Sequence, residues 1–354
     1  GYAAGRDITT GTQNTAIGGL ALLANTTASN NTAVGRLAMA GANVTGSNNA
    51  AFGYQALYAN VDGAENSSMG TNSLLANVSG NNNTALGNDT LKTNTTGNHN
   101  VAIGLNALET SNADNNVAVG VDCGRLTSTG THNTFIGRNA AENNTTGAEN
   151  VAIGSQALLS NTTASYNVAI GAFALDANTT AIKNTAVGAY ALENSTTASQ
   201  NTAVGYEALH SNTTGYENTS FGYHSLESNT TGANNTACGR AALYAATTAD
   251  NNTAIGWNAL VACTTGGSNT AVGQNAMQAN TTGTYNVAIG QGALDASTTV
   301  HSCIAIGYDA LGGSNTENSN VAIGRASMGA NTSGSGTALG SYALAANTTG
   351  NNNS

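Results

Sequence analysis

Residues 201–217 read Asn-Thr-Ala-Val-Gly-Tyr-Glu-Ala-Leu-His-Ser-Asn-Thr-Thr-Gly-Tyr-Glu, and at Asn218 the pattern begins again. With Gly205 as a marker, the equivalent glycine recurs outward in both directions to Gly1 and Gly340. The step is 17 residues, apart from 18 before Gly53 and 16 before Gly120 and Gly340. Self-similarity at a fixed short period marks an array of stacked units, each too small to bury a core alone. The segment Thr202-Ala203-Val204 ends at glycine and carries β-branched residues at alternate positions, which suits a short strand. A helix needs a longer run without breakers, and glycine or an Asn-Thr-Thr-Gly turn intervenes in each repeat. The expected fold is all-β, a parallel β-solenoid (β-roll) of about twenty coils of 17 residues. The Tyr-Glu-Ala-Leu stretch is expected to form a second short strand or an extended corner.

Each column of the repeat invites a role. The residue before the marker glycine is apolar, as in Ile17, Val34, Phe52, Met69 and Leu86. A second column, four residues after the glycine, holds Leu22, Met39, Leu57 and Leu74 but fails at Gly124 and Ala141. These two columns are expected to point inward as continuous apolar ladders. The residue two before the glycine is nearly always Ala, with Ser68, Phe135 and Ser220 as departures. Lying on the opposite strand face from Val204, it is expected to pack against a neighbouring chain. The Asn column from Asn14 to Asn320 suits turn backbone and bonding from coil to coil. The Asn-Thr-Thr-Gly segment reads as a protruding turn.

Composition supports this reading and narrows the function. The 354 residues are 7% charged and 5% aromatic, with 44 glycines and no proline. A continuous hydrogen-bonded ladder tolerates no interior proline, because proline removes a donor. The formal net charge is −10 with only eight basic residues, which excludes a phosphate-binding track, so no nucleic-acid partner is expected. No apolar run approaches the roughly 18 residues that span a bilayer. Cys123, Cys238, Cys263 and Cys303 stand at four different phases of the repeat and form no metal-like spacing. They read as small buried or half-buried residues. The array is in phase at Gly1 and stops within a repeat at Ser354, so residues 1–354 read as one continuous repeat array cut from a longer fibre protein.

Asn-Val-Ala-Ile-Gly-Ser-Gln-Ala at residues 150–157, and the segment Asn286 to Ala293, resemble the head repeats of trimeric autotransporter adhesins. The Asn-Thr-Ala-Val-Gly-Tyr-x-Ala-Leu form at Asn201 to Leu209 is similar to repeats of bacterial and phage tail-fibre-like proteins. The resemblance covers essentially the whole chain. It implies a parallel β-roll, three chains around one axis, and exposure on a cell or virion surface. The adhesin repeat is shorter than this one, and no coiled-coil stalk, membrane anchor or chaperone domain occurs within these residues. Trimerisation therefore comes from the resemblance alone.

The sequence offers no catalytic constellation. His99, His132, His210, His224 and His301 fall at scattered phases, and neither a Ser-His-Asp pattern, HExxH nor a phosphate-cradling glycine motif occurs. The expectation is a non-catalytic structural fibre or adhesin shaft, extracellular or on a cell surface, with no cofactor or metal and with self-association as its main partnership. A phage tail-fibre shaft and an ice-binding solenoid, the latter suggested by columns such as Thr213 and Thr214, are the alternatives. Candidate N-glycan acceptors by the Asn-x-Thr pattern are Asn25, Asn94, Asn144, Asn161, Asn178, Asn212, Asn229, Asn280 and Asn347. Tyr54, Tyr206, Tyr223, Trp257 and Tyr308, at or near the position after the marker glycine, are candidate surface contacts for glycans or for a host or matrix receptor.

Overall fold

The computed structural model describes residues 1–41, 43–313 and 315–353. Among them there is no helix; the regular elements are twenty strands of three residues each. The chain forms two compact units, residues 1–180 and 181–354. The first holds β1 (Thr15–Ile17) to β10 (Val168–Ile170), and the second holds β11 (Thr185–Val187) to β20 (Thr337–Leu339). Within each unit every strand pairs in parallel with the next, column on column. In the first unit Thr15, Ala16 and Ile17 lie beside Thr32, Ala33 and Val34. In the second, Thr202, Ala203 and Val204 lie beside Thr219, Ser220 and Phe221. Both units are parallel β-solenoids with one strand per coil.

The remaining walls of the coil are turns. Tyr206 to Ser211 is a run of turns and not a second strand. Left-handed backbone at Glu207 (φ 54°), Leu209 (φ 53°) and Glu217 (φ 56°) bends the chain round. Such residues cost roughly 1–2 kcal/mol each for an L-amino acid. Hydrogen bonds to neighbouring coils offset this: the Glu207 amide donates to the Ala189 carbonyl at 3.1 Å, and the Leu209 amide to the Ser225 carbonyl at 3.1 Å. The marker glycine is obligatory for a different reason. Gly205 has φ 139°, and a Cβ there would lie 2.4 Å from the carbonyl oxygen of Gly222 on the next coil.

The interior reverses one assignment of the strand faces. Ala203 and its equivalents from Ala33 to Ala338 are buried, whereas Thr202 and Val204 remain half-exposed. The Ala column therefore points into the coil, and the Val/Ile column points out. The Leu column is inward as expected, with Leu22, Leu57, Leu158 and Leu209 fully buried. The physical reason is room. The strand faces a wall that already contributes Ala208 and Leu209 to the same interior, and a narrow close-packed space accepts only a methyl group from the strand.

The departures from the repeat obey the same constraint. Phe135 is fully buried in the Ala column. It fits because the Leu column carries glycine beside it: a Cβ on Gly124 would meet the Phe135 ring at 2.7 Å. Serine in the Ala column is matched by serine on the facing wall. The hydroxyls of Ser68 and Ser73 are 2.5 Å apart, as are those of Ser220 and Ser225, so these buried polar groups satisfy each other.

Candidate functional site

Three surfaces and two buried ladders carry whatever this chain does. The first ladder is the expected Asn column. In the second unit the Asn201 amide donates to Asn184 Oδ1 at 2.9 Å, and the Asn218 amide donates to Asn201 Oδ1 at 2.9 Å. The series continues through Asn286, whose Oδ1 accepts the Cys303 amide at 2.9 Å. In the first unit it runs from Asn14, which accepts the Asn31 amide at 3.0 Å, to Asn150, which accepts that of Asn167 at 3.0 Å. Each side chain also donates inward; Asn218 Nδ2 reaches the Gly232 carbonyl at 2.8 Å.

The second ladder lies where a protruding turn was expected. The leading Asn of Asn-Thr-Thr-Gly is buried, not displayed. Asn25, Asn94, Asn144, Asn161, Asn178, Asn212, Asn229 and Asn280 are at most 1% exposed, and Asn347 is half-buried. Their amide nitrogens are engaged within the fold. Asn229 Nδ2 donates to Asn212 Oδ1 at 2.8 Å and to the Gly232 carbonyl at 3.0 Å. Asn161 Nδ2 donates to Asn144 Oδ1 at 2.7 Å, and Asn94 Nδ2 to Asn77 Oδ1 at 2.9 Å. A glycan joined to such a nitrogen would have to leave through the coil wall, so the eight fully buried positions are structural in the folded chain. The sequence pattern carries a signal of this burial. From Asn60 onward the column also holds Ser111, Thr127, Ser195, Ala246 and Cys263, small and never charged. Its neighbours are accounted for as well. Thr213 Oγ1 donates to the Thr230 carbonyl at 3.0 Å, and Thr230 Oγ1 to that of Thr247 at 2.9 Å, which leaves the Thr214 column as the exposed one.

The outer strand face presents exposed apolar side chains in both units. In the first unit Ile17, Phe52, Met69, Leu86 and Ile136 are exposed, Met69 by 50%. In the second, Phe221, Ile255, Ile289, Ile323 and Leu339 are exposed, Ile255 by 41%. Parallel pairing in register sets these side chains shoulder to shoulder, as in Phe52 beside Met69 and Met69 beside Leu86. Phe52, Met69 and Leu86, with Ser67 and Thr84, line a shallow hollow of about 240 Å³. Soluble monomers seldom leave a contiguous apolar ribbon of this kind in water.

The aromatic candidates are all exposed, but they do not form one stripe. Tyr206 and Tyr223 stack with ring centroids 5.6 Å apart and planes 15° apart. Arg240 lies over Tyr223 at 5.8 Å, Arg36 over Tyr54 at 5.7 Å, and Arg325 over Tyr308 at 5.6 Å, all within cation–π range. Trp257 follows Arg240 in the same column and is 45% exposed.

The third surface was not anticipated. His224 Nδ1 lies 3.1 Å from Glu207 Oε2 and against Glu227 Oε2. Glu207 and His224 share the column two after the marker glycine, and Glu227 stands in the column five after it. Those two columns lie on one wall, a fact visible only once the turns are known to be turns. The cysteines are free: Cys123, Cys263 and Cys303 are buried and Cys238 is exposed on the strand face. Burial pushes the Cys123 thiol up to about 12 and that of Cys263 to about 11. Among the described residues no helix is long and apolar enough to cross a membrane. Compared with known proteins, the chain matches no family model and no curated sequence.

Proposed function

We propose that this chain is a shaft segment of a surface fibre, in which copies of the chain associate through the apolar outer face of their strands. The observation that carries this reading is the ribbon of half-exposed Val, Ile, Leu, Met and Phe along the strands of each unit. Covering it removes apolar area from water, worth about 25 cal/mol per Å². The buried interior favours a mechanical role over a chemical one. Amide ladders and coil-to-coil backbone bonds resist extension, and among the described residues no cleft gathers acid, base and nucleophile. The likeness of 150–157 and 201–209 to adhesin-head and tail-fibre repeats supports three chains about one axis and a place on a cell or virion surface. The exposed tyrosines and Trp257 would then offer stacking platforms to glycans of a host or matrix.

The test is the mass of the full chain by native mass spectrometry and sedimentation, with alkylation of Cys238 as a probe of the strand face. Wild type is expected to be oligomeric, with Cys238 protected. Val204→Lys combined with Ile255→Lys should yield a folded monomer in which Cys238 reacts freely. A wild-type chain that stays monomeric at micromolar concentration, with Cys238 open to alkylation, would refute assembly through this face.

A further inference from the structure

We infer that Glu207, His224 and Glu227 form a binding site for a single divalent transition-metal ion of the zinc, cobalt or nickel type. One donor atom from each residue lies within 4.8 Å of the other two. That spread is close to the ~4.2 Å reach of an ion holding donors at ~2.1 Å, so modest side-chain rotation closes the shell. The donor set is one imidazole and two carboxylates, which suits borderline metals and disfavours calcium or magnesium.

Two independent observations point to a cation here. The first is how the same wall is balanced elsewhere. In the first unit, three acids of these two columns meet permanent cations: Lys92 lies 3.2 Å from Asp89, and Arg125 lies 2.8 Å from Glu142 and 3.8 Å from Asp122. In the second unit the same columns hold Glu193, Glu207, Glu227, Asp295 and Asp309, and among the described residues no lysine or arginine pairs with the first three, of which Glu207 and Glu227 alone share one histidine. Only His210, 2.8 Å from Glu193, and His224 stand among these three carboxylates. The second is the state of the donor atoms. His224 Nδ1 and Glu227 Oε2 are shielded from solvent and face each other, with Glu207 Oε2 3.1 Å from the same nitrogen. Three donors that converge on one shielded point offer the arrangement a metal ion requires.

The surroundings complete a site. The His224 ring is held edge-on by Tyr223, with centroids 3.8 Å apart, and flanked by Tyr206 and Tyr244 at 5.6 and 6.3 Å. A ring fixed in this way presents Nδ1 to the carboxylates. Beside it opens a hollow of about 350 Å³ lined by Tyr223, His224, Arg240, Tyr244 and Asn258. It leaves space for the water or ligand that would fill the remaining coordination positions. Because the three donors come from two successive coils, an ion would clamp those coils together.

The experiment is titration of the chelator-treated full chain with Zn²⁺ by calorimetry and with Co²⁺ by visible absorption. One equivalent per chain is expected, with Co²⁺ ligand-field bands and a rise in thermal midpoint. His224→Gln and Glu227→Gln should each weaken binding at least a hundredfold, while His132→Asn leaves it unchanged. Circular dichroism of each variant guards against misfolding, and the wild-type titration stands whether or not a variant folds. No saturable binding by wild type, or binding indifferent to His224 and Glu227, would overturn the assignment and leave a histidine in contact with two carboxylates.

Discussion

Phe135 and Gly124 offer the sharpest test of how the interior is packed. Phe135 occupies a position where most coils carry Ala, and Gly124 one where most carry Leu. Phe135→Ala empties a ring from a site with no solvent access, which costs about 3–5 kcal/mol. Gly124→Leu alone drives a side chain into that ring, since even its Cβ would stand 2.7 Å from Phe135 and 3.1 Å from Leu108. Overpacking of this kind costs about 1–3 kcal/mol. Backbone conformation adds little, because Gly124 has φ 58° and Leu158 holds φ 56° in the equivalent place. The double variant restores the common Ala and Leu pairing. It should lie within about 2 kcal/mol of wild type, giving a favourable coupling of at least about 2 kcal/mol. Denaturant unfolding measures the sum. Since stacked coils can open in parts, hydrogen exchange at the Gly124 and Ala141 amides, bonded to Ala140 and Ala157 at 2.9 Å each, supplies the local value. Strictly additive effects, or a Phe135→Ala cost below about 1 kcal/mol, would refute compensation between these columns.

Other consequences can be checked separately. Asn218→Ala removes the acceptor of the Asn235 amide at 3.0 Å; one orphaned buried donor and the lost bonds cost about 2–4 kcal/mol, with faster exchange at Asn235, whereas exposed Thr231→Ala should change stability by less than about 0.5 kcal/mol. In dissociated but folded chains at pH 8, iodoacetamide should label Cys238 and spare Cys123, Cys263 and Cys303, whose thiols burial holds above the usual range; comparable labelling of all four by mass spectrometry would count against the buried placement. Asp295 is raised above the ordinary carboxyl value, first by burial and then by the Asp309 charge. The folded state therefore holds that proton more tightly than the unfolded chain, so stability should fall as pH rises from about 4 through the raised value. Asp295→Asn should remove this loss, raising the thermal midpoint at pH 7 and leaving it unchanged at pH 3.

What could be read from the sequence, and what could not, follows from the nature of strand alternation. A period of 17 with glycine after a β-branched triplet specifies strand, turn and stacking, and alternation separates Thr202 and Val204 from Ala203. It does not say which set is inside. The preference for larger apolar side chains in a core selects Val204, and the structure selects Ala203, because the distance between walls decides and that distance is invisible in one repeat. The clue lay in the exceptions: Phe135 beside Gly124, Ser68 with Ser73, Ser220 with Ser225. Residues that depart together share a space, and an outward Ala column would have had no reason to vary with the opposite wall.

The same reasoning explains why the buried asparagines looked like acceptor sites. A short motif records which residues are present, whereas accessibility is set by the coils above and below. Inside one coil of the second unit the buried side chains are Asn201, Ala203, Ala208, Leu209 and Asn212, which is little apolar mass for a close-packed core. Repeated carboxamide bonds must then carry much of the specificity, since those that run from coil to coil form only between neighbours in register. A slip of one residue would replace Asn by Thr in the ladder and turn Val and Ile into a space sized for Ala. Register is thus enforced twice, by polarity at the turns and by volume at the strand. That double constraint is what frees the outer strand face to vary in shape from Val204 to Phe221 without disturbing the stack.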